Sequence, residues 1–356
     1  MAAQGVDVCL LSVGPDLPWL TGYEAMPLER LTMLVVPRDG DAVLVVPGLE
    51  VPRVLPRDDV FRIRSWGETD DPVAIVADLV GPARTAAIGD RTWSRFLVEL
   101  QRARPDLAFS TTQPVIGPLR AVKDPHEIAA LRRAAHAVDR IAAQLQAGEI
   151  ALVGRTEAQV SAEISRRLLD EGHQRVNFAI VAAGPNSASP HHEPGDRVIG
   201  RGEVVLCDFG GTMLDDWGVG YCSDITRCVV TAEPSARQRE VYDVLLHAQA
   251  VGVAAGAPGV ACETVDAVTR ARIVDAGLGE WFMHRTGHGI GVEEHEDPYI
   301  VAGNAAPLVT GNAYSVEPGI YLPGEFGFRL EDIVVVGDTG SESITNAARH
   351  LVVVDA

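Results

Sequence analysis

Between Val6 and Val46 the apolar positions fall in short runs (VDVCLLSV, LTMLVVP, AVLVVPG) bounded by Gly, Pro and Asp, the punctuation of strands joined by turns. Helices are predicted near Asp71 to Leu79 and Ser94 to Arg102, separated by a strand-like TAAIGD, an alternation typical of an α/β domain. The pattern breaks between Pro114 and Asp124. Asp124-Pro125-His126-Glu127 then reads as a helix start, with Asp as cap, Pro at the first position and Glu at the third. A domain boundary is expected here, dividing the chain into residues 1–118 and 119–356.

Ile128, Leu131, Ala135, Val138, Ile141 and Leu145 recur at steps of three and four, which gives a helix one buried stripe. A second capped helix is predicted from Thr156 to about Glu171, stopped by Gly172. Strand-like runs follow at Asn177 to Ala182, Glu203 to Phe209, Ile225 to Thr231, Ala313 to Leu322 and Arg329 to Val336, with helical stretches near Ala236 to Ala255 and Cys262 to Ala276. The second half is therefore expected to be a mostly antiparallel sheet covered by helices, and the chain as a whole α+β.

Bulk composition narrows the function. With 47% apolar and 22% charged residues over 356 positions, the chain has the ordinary globular mix and enough length for two cores. A net charge of −19 repels phosphate backbones and anionic membrane surfaces, which argues against nucleic acid and membrane partners. The five cysteines, Cys9, Cys207, Cys222, Cys228 and Cys262, form no CxxC pair and fit reduced thiols in a cytoplasmic protein. Neither a signal segment nor a run of about eighteen apolar residues is found.

Acidic residues interrupt the apolar runs where a purely structural sheet would carry apolar side chains. Asp208 sits within VVLCDFGG, Asp224 opens SDITRCVV, Glu317 lies inside YSVEPGIY and Glu331 inside FRLEDIVVV. Any one of these is more often an exposed or turn residue. Four carboxylates facing one interior, however, would raise each other's pKa and demand compensating positive charge, which divalent cations supply. The segment from His284 to Gly291 adds imidazoles among glycines, where backbone can come close to an ion or substrate.

On these residues the chain resembles the metal-dependent aminopeptidase P and prolidase group, the M24 peptidases with the pita-bread fold. The weaker parts of the likeness are Leu20-Thr21-Gly22-Tyr23 and the link Leu119 to Pro125. The stronger ones are Pro190-His191-His192, Asp208-Phe209-Gly210, Gly220 to Arg227, His288-Gly289-Ile290-Gly291 through His295-Glu296, Glu317 to Tyr321, and Arg329 to Asp332. The resemblance implies a pita-bread catalytic domain after a smaller creatinase-like α/β domain. It further implies two metals, with Asp224 and Glu331 bridging, Asp208 holding one and His288 and Glu317 the other. An oxygen-rich set with one imidazole suits manganese, with cobalt or zinc as alternatives. Asp208 and Asp224 stand farther apart than is usual in the family, the extra residues falling in Gly211 to Gly218, so that Asp215 or Asp216 is the alternative to Asp208 as ligand.

The same resemblance implies hydrolysis of the Xaa-Pro bond of short peptides by a metal-bridging hydroxide. Glu317 would shuttle the proton, and His191 and His295 would bind substrate and steady the oxyanion. His284 would line the pocket, Arg329 would contact a substrate carboxylate or a metal ligand, and a homodimer is expected. His192 and His173 receive no role. In several prolidases an Arg after the His-Glu pair grips the dipeptide carboxylate; Tyr299 stands there instead, leaving dipeptidase and aminopeptidase action both open. Creatinase-like hydrolysis of another small molecule, or a silent binding scaffold, are the alternatives on this fold.

Overall fold

The computed structural model describes Met1–Val354. The chain folds as two compact units, one formed by Met1–Arg120 with Asp215–Gly220 and the other by Ala121–Leu214 with the residues from Tyr221 onward. Among the described residues no helix is long and apolar enough to cross a membrane.

In the first unit six strands, β1 (Val8–Leu11), β2 (Met33–Pro37), β3 (Ala42–Pro47), β4 (Phe61–Trp66), β5 (Thr85–Ile88) and β6 (Ala108–Thr111), form one sheet in the order β4-β3-β2-β1-β5-β6. Alternating side chains feed two cores. Val8, Leu10, Met33, Val35 and Val45 meet Val73 and Val76 of α2 (Pro72–Leu79) and Phe96 and Leu100 of α3 (Ser94–Ala103). Cys9, Leu11, Leu34, Leu44 and Val46 meet Leu17 of α1 (Asp16–Thr21) and Ile116 of α4 (Gln113–Arg120). The pleat sends neighbouring residues to opposite faces, so a sheet covered on both sides reads as unbroken apolar runs. Helix α4 occupies the stretch where the sequence pattern breaks. Pro114 stands at its second position, where the N–H would be unpaired anyway, and α4 ends two residues after Pro118.

The second unit begins with α5 (Pro125–Gln146) and α6 (Glu157–Asp170), each started by a reciprocal capping box, Asp124 with Glu127 and Thr156 with Gln159. Strands β7 (Arg175–Ala183), β8 (Val204–Leu214) and β10 (Ile225–Val230) pair antiparallel. Strand β9 (Gly220–Cys222) lies beside β8, and β18 (Val352–Val353) joins β10 in parallel. One face of this sheet presents Val181, Cys207, Phe209 and Ile225 to Val138, Ile141 and Leu145 of α5 and Val160, Ile164 and Leu168 of α6. Each fully buried Leu, Ile or Val side chain of that layer contributes about 1.5–3 kcal/mol of transfer free energy.

A second antiparallel sheet runs β12-β11-β13-β16-β17, from β11 (Gly287–Gly289), β12 (Glu296–Ile300), β13 (Ala313–Val316), β16 (Asp332–Val336) and β17 (Ser341–Ser343). β14 (Gly319–Leu322) and β15 (Phe326–Arg329) form a separate hairpin. Helices α7 (Ala236–Ala255) and α8 (Cys262–Asp275) pack against these strands, with Val241, Tyr242 and Leu245 on Ile320, Tyr321 and Phe328, and Cys262 and Val265 on Tyr314 and Val334. The expected strand from Ala313 to Leu322 is thus two strands broken at Glu317-Pro318, and the one from Arg329 to Val336 is broken at Leu330-Glu331. Both breaks carry a site carboxylate.

Candidate metal centre

Strand register explains how residues remote in sequence meet. Asp208 pairs with Thr226 of β10 and Ile180 of β7, and Phe209 pairs with Ile225, the neighbour of Asp224. Because side chains alternate, Ile180, Asp208, Asp224 and Thr226 all leave the face opposite α5 and α6. Glu317 and Glu331 reach the same space from the two strand breaks, their backbone N–H groups donating to the carbonyls of Thr286 and Thr226. His288 comes from β11, between two glycines that cannot be replaced. A Cβ on Gly287 would lie 1.8 Å from the Ser315 carbonyl oxygen, and one on Gly289 2.3 Å from that of Asp297.

These side chains surround a cavity of about 760 Å³, within the usual range for a small-molecule site. Its walls include Phe178, Ile180, His191, Asp208, Asp224, His284, Arg285, Glu294, His288, His295, Glu317, Arg329 and Glu331. His191, His284, His295, Arg329, Asp208, Asp224, His288, Glu317 and Glu331 are therefore on one cavity. Asp215 and Asp216 do not line it. Asp215 instead accepts hydrogen bonds from the backbone of Trp217 (2.9 Å) and Val219 (2.8 Å) at the hairpin tip, the work of a turn former.

The electrostatics identify what is wanted at the centre. Asp224 is 4% exposed and Glu331 1%. Burial pushes both carboxyls well above the ordinary range, and the neighbouring carboxylates push them further. Burial also works against ionising Glu317, but a hydrogen bond from His288 and the charges of His288 and Arg329 outweigh it and bring it down to about 2. Asp208 Oδ1, Asp224 Oδ1 and Glu331 Oε1 are buried without any hydrogen-bond donor. His288 Nδ1 donates to the Gly289 carbonyl at 3.2 Å, which leaves Nε2 facing Glu317 Oε1 at 3.1 Å and Asp224 Oδ2 at 3.8 Å. With only His288 and Arg329 set against four carboxylates, and three of their oxygens orphaned, the centre is short of positive charge. Donor atoms of Asp224, His288 and Glu331 lie within 4.8 Å of one another, close enough to share a cation. The donor set, four carboxylates and one imidazole, fits hard or borderline divalent ions.

Arg329 is engaged by Asp208 and three further groups. Its Nη2 donates to Asp208, Nη1 to the Tyr321 hydroxyl (2.8 Å) and the Pro190 carbonyl (3.2 Å), and Nε to Thr226 Oγ1 (3.1 Å). Burial pushes the Tyr321 phenol up to about 12, so it keeps its proton and donates to His284 Nε2 at 3.0 Å. His284 Nδ1 donates to the Arg285 carbonyl at 2.7 Å. The His284 ring, held neutral chiefly by burial, thus lines the cavity with both nitrogens engaged. His295 stacks beside His288, ring centroids 3.8 Å apart, and is pushed down to about 4 by desolvation and then by the charges of His288 and Arg285.

Several supporting residues receive no role in the sequence reading. Buried Glu157 accepts from His192 Nε2 (2.8 Å), Asn186 Nδ2 (3.0 Å) and the Ala183 N–H (2.8 Å), anchoring the loop that bears His191. Arg227 is fully buried, with its guanidinium on Asp332 (2.7 Å) and the carbonyls of Glu331 and Ala347. It thereby fixes the backbone of a site carboxylate. Asp266 accepts from both the N–H (3.0 Å) and hydroxyl (2.7 Å) of Thr286, two residues before His288. Lys123, in the link read as a motif, pairs with Glu296 at 2.6 Å. His173 bridges the Leu168 carbonyl and Ser223, the residue before Asp224, which is a structural duty.

Comparison with known proteins bears on this geometry. Residues 129–338 match metallopeptidase family M24, and residues 1–122 match the Creatinase/Prolidase N-terminal domain. The chain is 42% identical over 357 residues to a probable dipeptidase, PepE, of Mycobacterium tuberculosis, covering 99% of this chain and 93% of that protein. It is 35% identical to the Xaa-Pro dipeptidase of Lactobacillus helveticus, over 98% of this chain and 95% of that one. The solved prolidase of Thermococcus sibiricus superposes with a TM-score of 0.90 at 34% identity, covering 99% of this chain and 95% of its own.

Proposed function

Because the chain belongs to metallopeptidase family M24, with an N-terminal domain of the creatinase and prolidase type, we propose that it hydrolyses the Xaa-Pro bond of short peptides with divalent metal ions at this centre. The observation that carries the reading is the set of orphaned buried carboxylate oxygens around His288. Asp208, Asp224, His288, Glu317 and Glu331 would hold the ions. Manganese is the ion we assign, on the hardness of the donors. Bound there, the ions would keep the carboxylates ionised, polarise the scissile carbonyl and make water nucleophilic at neutral pH.

The chain's own groups then have distinct duties. Glu317 Oε1 is held by Ser315 Oγ at 3.0 Å and by His288, while Oε2 has no hydrogen-bond partner among the described residues, and the residue lines the cavity. With its carboxyl brought down to about 2, Glu317 is ionised and can take a proton on Oε2 and return it to the leaving nitrogen. His191 and His295 face the cavity and would hydrogen-bond the substrate carbonyl as charge develops. Phe178 and Ile180 give the apolar wall that a proline ring requires, since a tertiary amide has no N–H to recognise. Arg329 holds Asp208 in place, and His284, through Tyr321, holds Arg329.

The complete ligand set weighs against a silent scaffold, and the dipeptidase and prolidase relatives weigh against a creatinase-like substrate. We further assign the chain to a reducing cytoplasm, where its five buried, unpaired cysteines are at home, and to a homodimer, which light scattering near 37.9 kDa would contradict. The deciding assay uses metal-stripped protein reloaded with manganese and offered a Xaa-Pro dipeptide, a Xaa-Pro-Yaa tripeptide and a Xaa-Ala control. Cleavage confined to the proline peptides is expected; cleavage of none of the three would overturn the reading.

A further inference from the structure

One cation on the cavity wall has no counterion. Arg285, half-buried, stacks its guanidinium over the Tyr299 ring, 4.5 Å from the centroid, and donates from Nη2 to His295 Nδ1 at 3.2 Å. Among the described residues no carboxylate lies within ion-pair distance of it, Glu294 on the same wall included. The other arginines of this neighbourhood are spoken for, Arg227 by Asp332, Arg270 by Asp266 and Arg329 by Asp208. A partly desolvated guanidinium held on an aromatic platform, with Nε and Nη1 unused, is preorganised for a planar anion and costs free energy until one arrives.

We propose that Arg285, resting on Tyr299, binds the free α-carboxylate of the substrate and so makes this chain a dipeptidase. The proposal rests on the peptidase reading above. Arg285 and the site carboxylates line the same cavity, so the anion it takes must belong to a molecule that also reaches the metal centre. A dipeptide carries its carboxylate one residue beyond the scissile bond, whereas a longer peptide presents a neutral amide at that point and leaves the guanidinium unpaired. Tyr299 acts as the support of the charge.

The test compares wild type with Arg285→Gln and Arg285→Lys in two ways. The first is kcat/KM for a Xaa-Pro dipeptide against the same dipeptide as its C-terminal amide, on manganese-loaded protein. The second is calorimetric binding of L-proline against L-prolinamide, which needs no turnover. Wild type should favour the free acid and proline; Arg285→Gln should cut both preferences by roughly tenfold to a hundredfold, mainly through KM and Kd, with Arg285→Lys intermediate. A wild-type acid-to-amide ratio near one, or a ratio kept in Arg285→Gln, overturns the proposal. If wild type cleaves no peptide, the peptidase reading fails by itself. Proline bound equally by wild type and Arg285→Gln then overturns the role of Arg285 as well. A thermal unfolding midpoint for Arg285→Lys matching wild type separates loss of recognition from loss of fold.

Discussion

At the scale of single residues the centre depends on side chains that orient its carboxylates. Arg329 joins Asp208, Thr226, Tyr321 and the Pro190 carbonyl through a rigid planar fork, and a lysine keeps the charge but cannot reach all four. Arg329→Lys should weaken manganese affinity by about 10–100-fold, the usual cost of losing an outer partner of a ligand, as read by titrating metal-stripped protein. Undiminished affinity would show that Asp208 is oriented by something else. The choice between aspartates can be settled in parallel. Asp208→Asn should lose one equivalent of bound metal by elemental analysis, while Asp215→Asn keeps both; the reverse result would move the ligand to the hairpin tip.

Elements matter through their ends. Glu157 opens α6 and holds the His191 loop by hydrogen bonds from four residues, Ala183, Asn186, His192 and Gly195. Glu157→Ala leaves those buried donors unpaired, which should cost about 1–3 kcal/mol in chemical denaturation and raise KM more than it lowers kcat. An unchanged denaturation midpoint would mean the loop is held by its backbone alone. The helices were legible in sequence because their caps are local: Asp124, Thr156 and the 3.6-residue period of α5 need no tertiary context. Strand breaks were not, since a period-two apolar pattern runs on through Glu317 and Glu331 although the hydrogen-bond ladder stops there. Strands β11 and β12 escaped because Gly287-His288-Gly289 and the stretch around Pro298 lack alternation altogether, and α4 because Pro114, Gly117 and Pro118 read as a breaker. The site carboxylates and His288 stood out chemically, but Glu157 and Asp266 are ordinary charged residues until the fold buries them.

For the whole molecule, the carboxylate cluster ties stability to pH and metal. Asp224 and Glu331 have their folded pKa raised above the unfolded value, so the native state holds more protons than the unfolded one at mildly acid pH. The stability they contribute is complete below the ordinary carboxylate range and is lost as pH rises through the raised values. Glu317, at about 2, acts oppositely, but only below about pH 4.5, its ordinary value. The unfolding temperature of metal-stripped protein should therefore fall as pH is raised from roughly 5 to 8, and manganese should remove most of that slope by binding the ionised forms. Parallel profiles with and without metal would show that these carboxyls titrate independently of the ions.

The hairpin between Asp208 and Asp224 also explains why distance along the chain is a poor ruler for such sites. Both aspartates sit at its root, where pairing of Phe209 with Ile225 sets their separation, and everything from Gly211 to Gly220 lies beyond that pair. Residues gained in matched pairs, one on each strand, lengthen the loop and leave the root unchanged, whereas a single residue gained between Asp208 and Phe209 turns the carboxylate into the opposite layer. Insertions and deletions are thus tolerated by parity and position. A lineage can drift in loop length at this point without ever turning Asp208 away from the cavity.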